Sequence, residues 1–268
     1  MGSLLDAACT WVDHIHLNSS SLSERDGRPV WLKRRRWIAR PAMRFASVFF
    51  RWAHNPVEAI ASTAEWRRWE LEWFRALHGP ECTAGTDPDG ALWIALLPGA
   101  SLSRDLEAGT LTPDQLRAAA VELKRAHGFA CSHHGAAWSH GDSHTGNFIF
   151  DAATGRARLV DFEVRHLRGM PESERHADDL LVLLQDVCGR CPADAWLPLA
   201  HGFLAAYGRD EIIALLPEKL HVRRGIPRLW WAVRTTWMPC AELERRLAEL
   251  REAIPRIRRR EETGCLRK

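Results

Sequence analysis

Residues 139–163, SHGDSHTGNFIFDAATGRARLVDFE, hold the pattern from which the rest of the chain is read. His140-Gly141-Asp142 is followed by Asn147, and Asp161 stands inside Leu159-Val160-Asp161-Phe162-Glu163. Apolar Phe148-Ile149-Phe150 and Leu159-Val160 flank the polar run DAATGRA, which predicts two short buried strands joined by a hairpin loop. Such a hairpin brings Asn147 and Asp161 to one end and holds Asp142 beside them. A carboxylate, an amide oxygen and a second carboxylate are the groups that phosphoryl transfer requires. One orients an attacking hydroxyl, and the other two give oxygen ligands to Mg2+ on nucleotide phosphates.

The bulk properties are those of a soluble globular protein of one large domain or two lobes: 268 residues, 46% hydrophobic and 26% charged. No apolar run reaches the ~18 residues of a spanning helix. The start, MGSLLDAACTWVDH, lacks the basic region and apolar core of a secretory signal, and Asp6 stands where a myristoylation motif needs Ser or Thr. Seven scattered cysteines point to reduced thiols in a cytoplasm. Cys188 and Cys191 have CxxC spacing without a strand–helix context, and read as incidental.

Net charge is only +3, but it is unevenly spread. Residues 27–57 contain no acid and eight basic chains: Arg28, Lys33, Arg34, Arg35, Arg36, Arg40, Arg44 and Arg51. Residues 219–241 are also acid-free, with Lys219, Arg223, Arg224, Arg228 and Arg234. Both stretches carry tryptophan (Trp31, Trp37, Trp52, Trp230, Trp231, Trp237), in a chain of thirteen Trp and one Tyr. Basic residues interleaved with Trp suit an anionic partner with an apolar part, such as a phosphorylated glycolipid or an anionic membrane surface. Solvated basic faces with Trp in the core are the equally weighted reading. No RNA-binding motif is present, and no nucleic acid is expected.

The spacing of Asp142, Asn147 and Asp161 resembles the catalytic loop and metal-binding strand of the protein-kinase-like superfamily, H-x-D-x-x-x-x-N and then D-F-G. Gly141 stands where protein kinases usually carry Arg, and Glu163 replaces the last Gly. Both departures resemble the aminoglycoside phosphotransferase and lipopolysaccharide (Kdo/heptose) kinase branch. The resemblance implies an α+β, bilobal fold. A small β-sheet N-lobe with one main helix would occupy residues 1–98, with a basic amphipathic insert at 37–55. A larger, mostly helical lobe over 99–268 would carry catalysis and the acceptor. It implies ATP and Mg2+ as cofactors, Asp142 as the catalytic residue, and Asn147 and Asp161 as metal ligands. Fifteen residues separate Glu163 from Asp179, without an Ala-Pro-Glu motif, so no long activation segment is expected.

Working outward, Trp11 to Leu17 reads as a strand, Asn18 to Ser21 as a turn, and Asp26-Gly27 as a tight hairpin into the strand Val30–Lys33. Lys33 occupies the place where the resemblance puts the lysine of the α- and β-phosphates. Trp31 shares its strand face and is expected either to stack on adenine or to pack in the core. On a helix opened by Pro41, residues Arg40, Arg44, Ser47 and Arg51 share one face, which suits a membrane interface or packing on the first lobe. Ala59 to Leu77 is predicted as a long helix. The resemblance implies that Glu70 on it pairs with Lys33, with Glu65 as runner-up.

Ala91 to Leu97 is predicted as a strand, Leu96–Ser101 as the hinge, and Leu111 to Gly128 as a helix started by Thr112-Pro113-Asp114. Asp179 is implied as a brace for the catalytic loop, as is His140, while His144 touches the acceptor or lies on the surface. A last helix striped by Leu243, Leu247, Leu250 and Ile254 is expected to break at Pro255. The expected partner is a sugar or glycolipid acceptor, met in the cytoplasm or peripherally at the inner membrane. A soluble aminoglycoside- or choline-like small-molecule kinase is the alternative. Asn18–Ser21 in place of a glycine-rich loop also keeps a pseudokinase scaffold open.

Overall fold

The computed structural model describes residues 18–36, 55–222 and 238–265. The strand expected at Trp11–Leu17, the amphipathic helix at 37–55 (Asn55 apart), and most of the basic stretch 219–241 lie outside them. Strand β1 (Asn18–Arg25) turns into β2 (Arg28–Arg35) through Asp26-Gly27. Both turn residues have positive φ, 51 and 72°, as a two-residue hairpin demands. The serine run is therefore strand and not turn: Ser20 pairs with Lys33 and Leu22 with Trp31. An edge strand with both faces largely in water places little demand on side-chain character, so serine serves there.

Strand β3 (Val57–Ala59) precedes helix α1 (Thr63–His78). The helix starts later than predicted because Ser62 caps it, its side chain accepting from the Glu65 amide at 3.4 Å, while 57–59 pair elsewhere. Its inward stripe is Trp66, Trp69, Glu70, Trp73, Phe74 and Leu77, at helical spacing. β4 (Ala84–Thr86) and β5 (Leu92–Ala95) complete an antiparallel sheet of order β1-β2-β5-β4. β5 is shorter than predicted, although the Leu96 amide still bonds the Pro29 carbonyl at 3.1 Å in the same register.

After β6 (Ala100–Ser101) and α2 (Leu102–Glu107), helix α3 (Pro113–Ala126) opens with a reciprocal cap between Thr112 and Gln115. β7 (Ala130–Cys131) and β8 (Ala136–Ala137) form a small hairpin. A 3-10 turn, Thr145–Asn147, leads into β9 (Phe148–Asp151), which pairs with β10 (Arg156–Leu159) in the predicted hairpin. β11 (Val164–His166) then pairs antiparallel with β3, Val164 with Ala59 and His166 with Val57. The chain just after Asp161 is thus stitched to the chain just before α1. Helices α4 (Glu172–Arg190), α5 (Trp196–Tyr207), α6 (Asp210–Ile213), α7 (Leu216–Lys219) and α8 (Cys240–Cys265) follow. Pro255 lies inside α8 and does not break it, contrary to expectation. Leu243, Leu247, Leu250 and Ile254 are buried, and their packing offsets the hydrogen bond that proline removes.

The architecture is α+β, as expected from the sequence: a small antiparallel sheet with one long helix, joined to a larger, mostly helical part. Tryptophan binds the two parts. Trp73 meets Trp138 at 5.0 Å between ring centroids, and Trp138 meets Phe162 at 5.8 Å. Trp66, Trp69 and Trp196 are buried as well, so for these five rings the core reading holds. Each takes ~200 Å2 out of water, on the order of 5 kcal/mol before ordering costs. Cys188 and Cys191 are buried free thiols that burial pushes up, Cys191 to about 11, and this fits the incidental reading of their spacing. No helix among the described residues is long and apolar enough to cross a membrane.

Candidate active site

Lys33 comes from β2 with its ammonium facing α1. Its Nζ lies 2.6 Å from Glu70 Oε1 and 2.8 Å from Asp161 Oδ1. The second Glu70 oxygen accepts from the Phe162 amide at 2.8 Å, so one carboxylate ties the strand lysine to the segment after β10 that carries Asp161. Glu65, the alternative partner for Lys33, is instead paired with Arg165 at 2.8 Å. Burial works against the Lys33 charge, but Asp161, Glu70 and Glu163 outweigh it and raise its pKa. Burial pushes Glu70 up, offset in part by Lys33, and also pushes Asp161 up, where Lys33 wins and holds the carboxyl below its usual range. Asp161 has φ 68°, a left-handed conformation that an Asp tolerates better than most residues. Glu163 is raised to about 8, by burial first and by the charge of Asp161 next.

The loop that carries Asp142 is fixed by its own backbone. The Asn147 amide nitrogen donates to the Asp142 carbonyl at 2.8 Å, which sets the rotation of the side chain and leaves its oxygen as the acceptor pole. The Val160 amide donates to the Asn147 carbonyl at 3.0 Å, so Asn147 and Asp161 sit at the same open end of the β9–β10 hairpin. His140 accepts from the Asp142 amide on Nδ1 at 3.2 Å, and its Nε2 faces the Val160 carbonyl at 3.1 Å. It is a neutral brace, with burial lowering its pKa. Gly141 has φ 85°, a backbone conformation that L side chains rarely adopt, although a Cβ there would make only ordinary contact with Arg165 and Val57 at 3.4 Å under the β3–β11 ribbon. That backbone conformation is why arginine is absent from this position.

Trp31 lies two residues before Lys33 and is 39% exposed, so it is not a core residue. Strand alternation puts it on the Lys33 face of the sheet.

Asp179 anchors the loop from below. It accepts from the His140 amide at 2.8 Å, the Gly141 amide at 2.7 Å and His127 Nε2 at 3.0 Å. His127 is held in turn by the Tyr207 hydroxyl at 2.8 Å and stacks on His176 at 3.8 Å. Asp186, two turns further along α4, accepts from the Thr145 amide at 2.9 Å. Sequence reading missed His127, Tyr207, Asp186 and Arg165. A signal existed only for Asp186, as a second acid seven positions after Asp179 on an otherwise apolar buried helix.

Buried and half-buried histidines are expected to make the fold acid-labile. Burial first, then nearby charges, lowers His176 and His134 to about 3, and burial lowers His78 to about 4. Unfolded histidine titrates near ~6.5, so below that pH the unfolded chain binds more protons and stability falls as pH drops toward 3. Glu163 works the other way, since its stability contribution is lost as pH rises from ~4.5 to about 8. Three groups outweigh one. The melting temperature is expected to fall steadily from pH 6.5 to 5, and a flat profile over that range would contradict the assignment.

Oxygen donors suit Mg2+, and Asn147 with Asp161 at one hairpin end fit its preference for one or two protein ligands completed by phosphates and water. No cluster of three His, Cys, Asp or Glu chains able to hold a metal occurs among the described residues.

No protein-family model matches the sequence, and no curated protein matches it. Among solved structures, the chain is similar to the Plasmodium vivax ethanolamine kinase Pv091845. The identity is 8% and the TM-score 0.44, over 90% of this chain and 85% of that one.

Proposed function

We propose that the chain is an ATP- and Mg2+-dependent phosphotransferase that moves the γ-phosphoryl group to an alcohol. The observation that carries the proposal is Lys33, held between Glu70 and Asp161 at 2.6 and 2.8 Å. A buried lysine with two carboxylates is positioned to trade one of them for a phosphate when nucleotide arrives. In this reading Lys33 holds the α- and β-phosphates, Glu70 fixes its ammonium, and Trp31 stacks on adenine. Asn147 and Asp161 hold Mg2+, which when bound neutralises charge on the phosphates. Asp142 orients the acceptor hydroxyl and takes its proton. The parts divide as residues 1–98 for nucleotide and 99–268 for catalysis and acceptor.

The acceptor proposed is a sugar hydroxyl of a lipopolysaccharide-type glycolipid at the inner membrane surface, because of the acid-free, Trp-bearing stretches. A soluble small alcohol is the second reading. Lys33 and Lys219, two of those basic residues, are paired inside the fold, Lys219 with Glu174, and do not add to a basic face.

The test is calorimetry with MgATP. Asn tolerates the left-handed backbone of Asp161, so Asp161→Asn removes the charge without adding strain. Losing a metal ligand is expected to weaken MgATP binding at least ~10-fold. A parent protein that binds no MgATP would be a pseudokinase, and the enzyme reading would fail.

A further inference from the structure

We infer that His144 is a catalytic residue, whose Nε2–H donates to the phosphoryl group during its transfer; the inference rests on the phosphotransferase reading above. Three observations place it. The Gly146 amide donates to His144 Nδ1 at 3.0 Å, so that nitrogen is the acceptor and the ring proton sits on Nε2. The ring lies against Gly146, where a Cβ would come within 2.6 Å of the imidazole, so its orientation is built into the loop. Nε2 lies 3.8 Å from Asp142 Oδ2, and both side chains are partly exposed, at 42 and 38%. That separation is too long for a hydrogen bond between them.

A fixed donor thus stands beside the proposed base, 3.8 Å from its carboxylate. An oxygen of the transferred group would lie there. In the step proposed, the acceptor O–H bond breaks and its proton goes to Asp142. The acceptor oxygen forms the new bond to phosphorus, and the bond from phosphorus to the bridging oxygen breaks, with its electron pair leaving on ADP. Charge on the transferred oxygens is met by Nε2–H, which keeps its proton throughout. A preorganised donor of this kind acts most strongly on the transition state.

The test needs no acceptor. MgADP affinity is measured by calorimetry with and without aluminium fluoride, which mimics the phosphoryl group in flight. The parent is expected to gain on the order of 100-fold from fluoride. His144→Asn puts an amide oxygen near the place of Nδ1, so it can keep the Gly146 bond but lacks the far donor. It should lose at least ~10-fold of that gain while MgADP alone binds as in the parent. His144→Gln carries an N–H out to the position of Nε2 and should recover most of it.

If His144→Asn keeps the full gain, His144 only braces the loop and the inference is wrong. Equal loss in the Asn and Gln variants also overturns it, as does a parent that binds MgADP but gains nothing from fluoride. A parent that binds no MgADP at all overturns the phosphotransferase reading, and this inference with it.

Discussion

Asp142→Asn is expected to lower the rate of phosphoryl transfer by about 10^3-fold. MgATP affinity should stay within roughly threefold of the parent, since the loss falls on the transition state. The substitution is nearly isosteric, and two contacts that hold residue 142 are made by its backbone. Its amide donates to His140 Nδ1, and its carbonyl accepts from Asn147. Both survive, so the loop keeps these two bonds while the carboxylate charge is lost. Initial rates against a panel of sugar, glycolipid and small-alcohol acceptors, with calorimetry alongside, check the two halves separately. An unchanged rate would remove Asp142 from the chemistry. A large loss of nucleotide affinity would place it among the binding groups instead.

Asp179→Ala should be the most damaging single change to the fold. The wild-type carboxylate is fully buried and satisfies two loop amides and the His127 ring. Alanine leaves all three donors unpaired at a site without solvent. Breaking a buried charged network of this kind costs about 3–5 kcal/mol. For a chain of this size that corresponds to a fall of roughly 10 °C in Tm. The loop should also lose its shape, so that transfer falls together with stability. Thermal denaturation followed by tryptophan fluorescence measures the first effect. A Tm within ~2 °C of the parent would show that the loop holds itself without help from α4.

Sequence alone carried the site further than the architecture around it. The hairpin and the turn at Asp26-Gly27 were legible because short-range rules decide them. Alternating apolar runs make strands, and two residues with positive φ make a tight turn. Lys33, Glu70 and Asp161 could be chosen from spacing and resemblance, and the structure brings them within hydrogen-bond distance. The β3–β11 ribbon was not legible. It pairs residues more than a hundred positions apart, and Val57–Ala59 reads locally as the start of a helix. Trp66 and Trp73 were legible as apolar residues of a helix, but composition does not say which rings meet.

The charge pattern was legible only in part. A stretch without acids in sequence is not a stretch without acids in space. Glu70 and Asp161 reach Lys33, and Asp89 reaches Arg34, each from another part of the chain.

The ribbon joining β3 to β11 also bears on how the molecule comes apart. Residues 96–101 are one covalent link between the sheet side and the helical side, and the ribbon is a second, non-covalent one. Arg165 reinforces it, with Glu58 at 2.6 Å and Glu65 at 2.8 Å. A protease nick in the covalent link would leave both fragments fastened to each other, as a split protein that holds its shape. The halves should then melt in a single transition instead of two, with α1 kept in register with Asp161 until the whole assembly lets go.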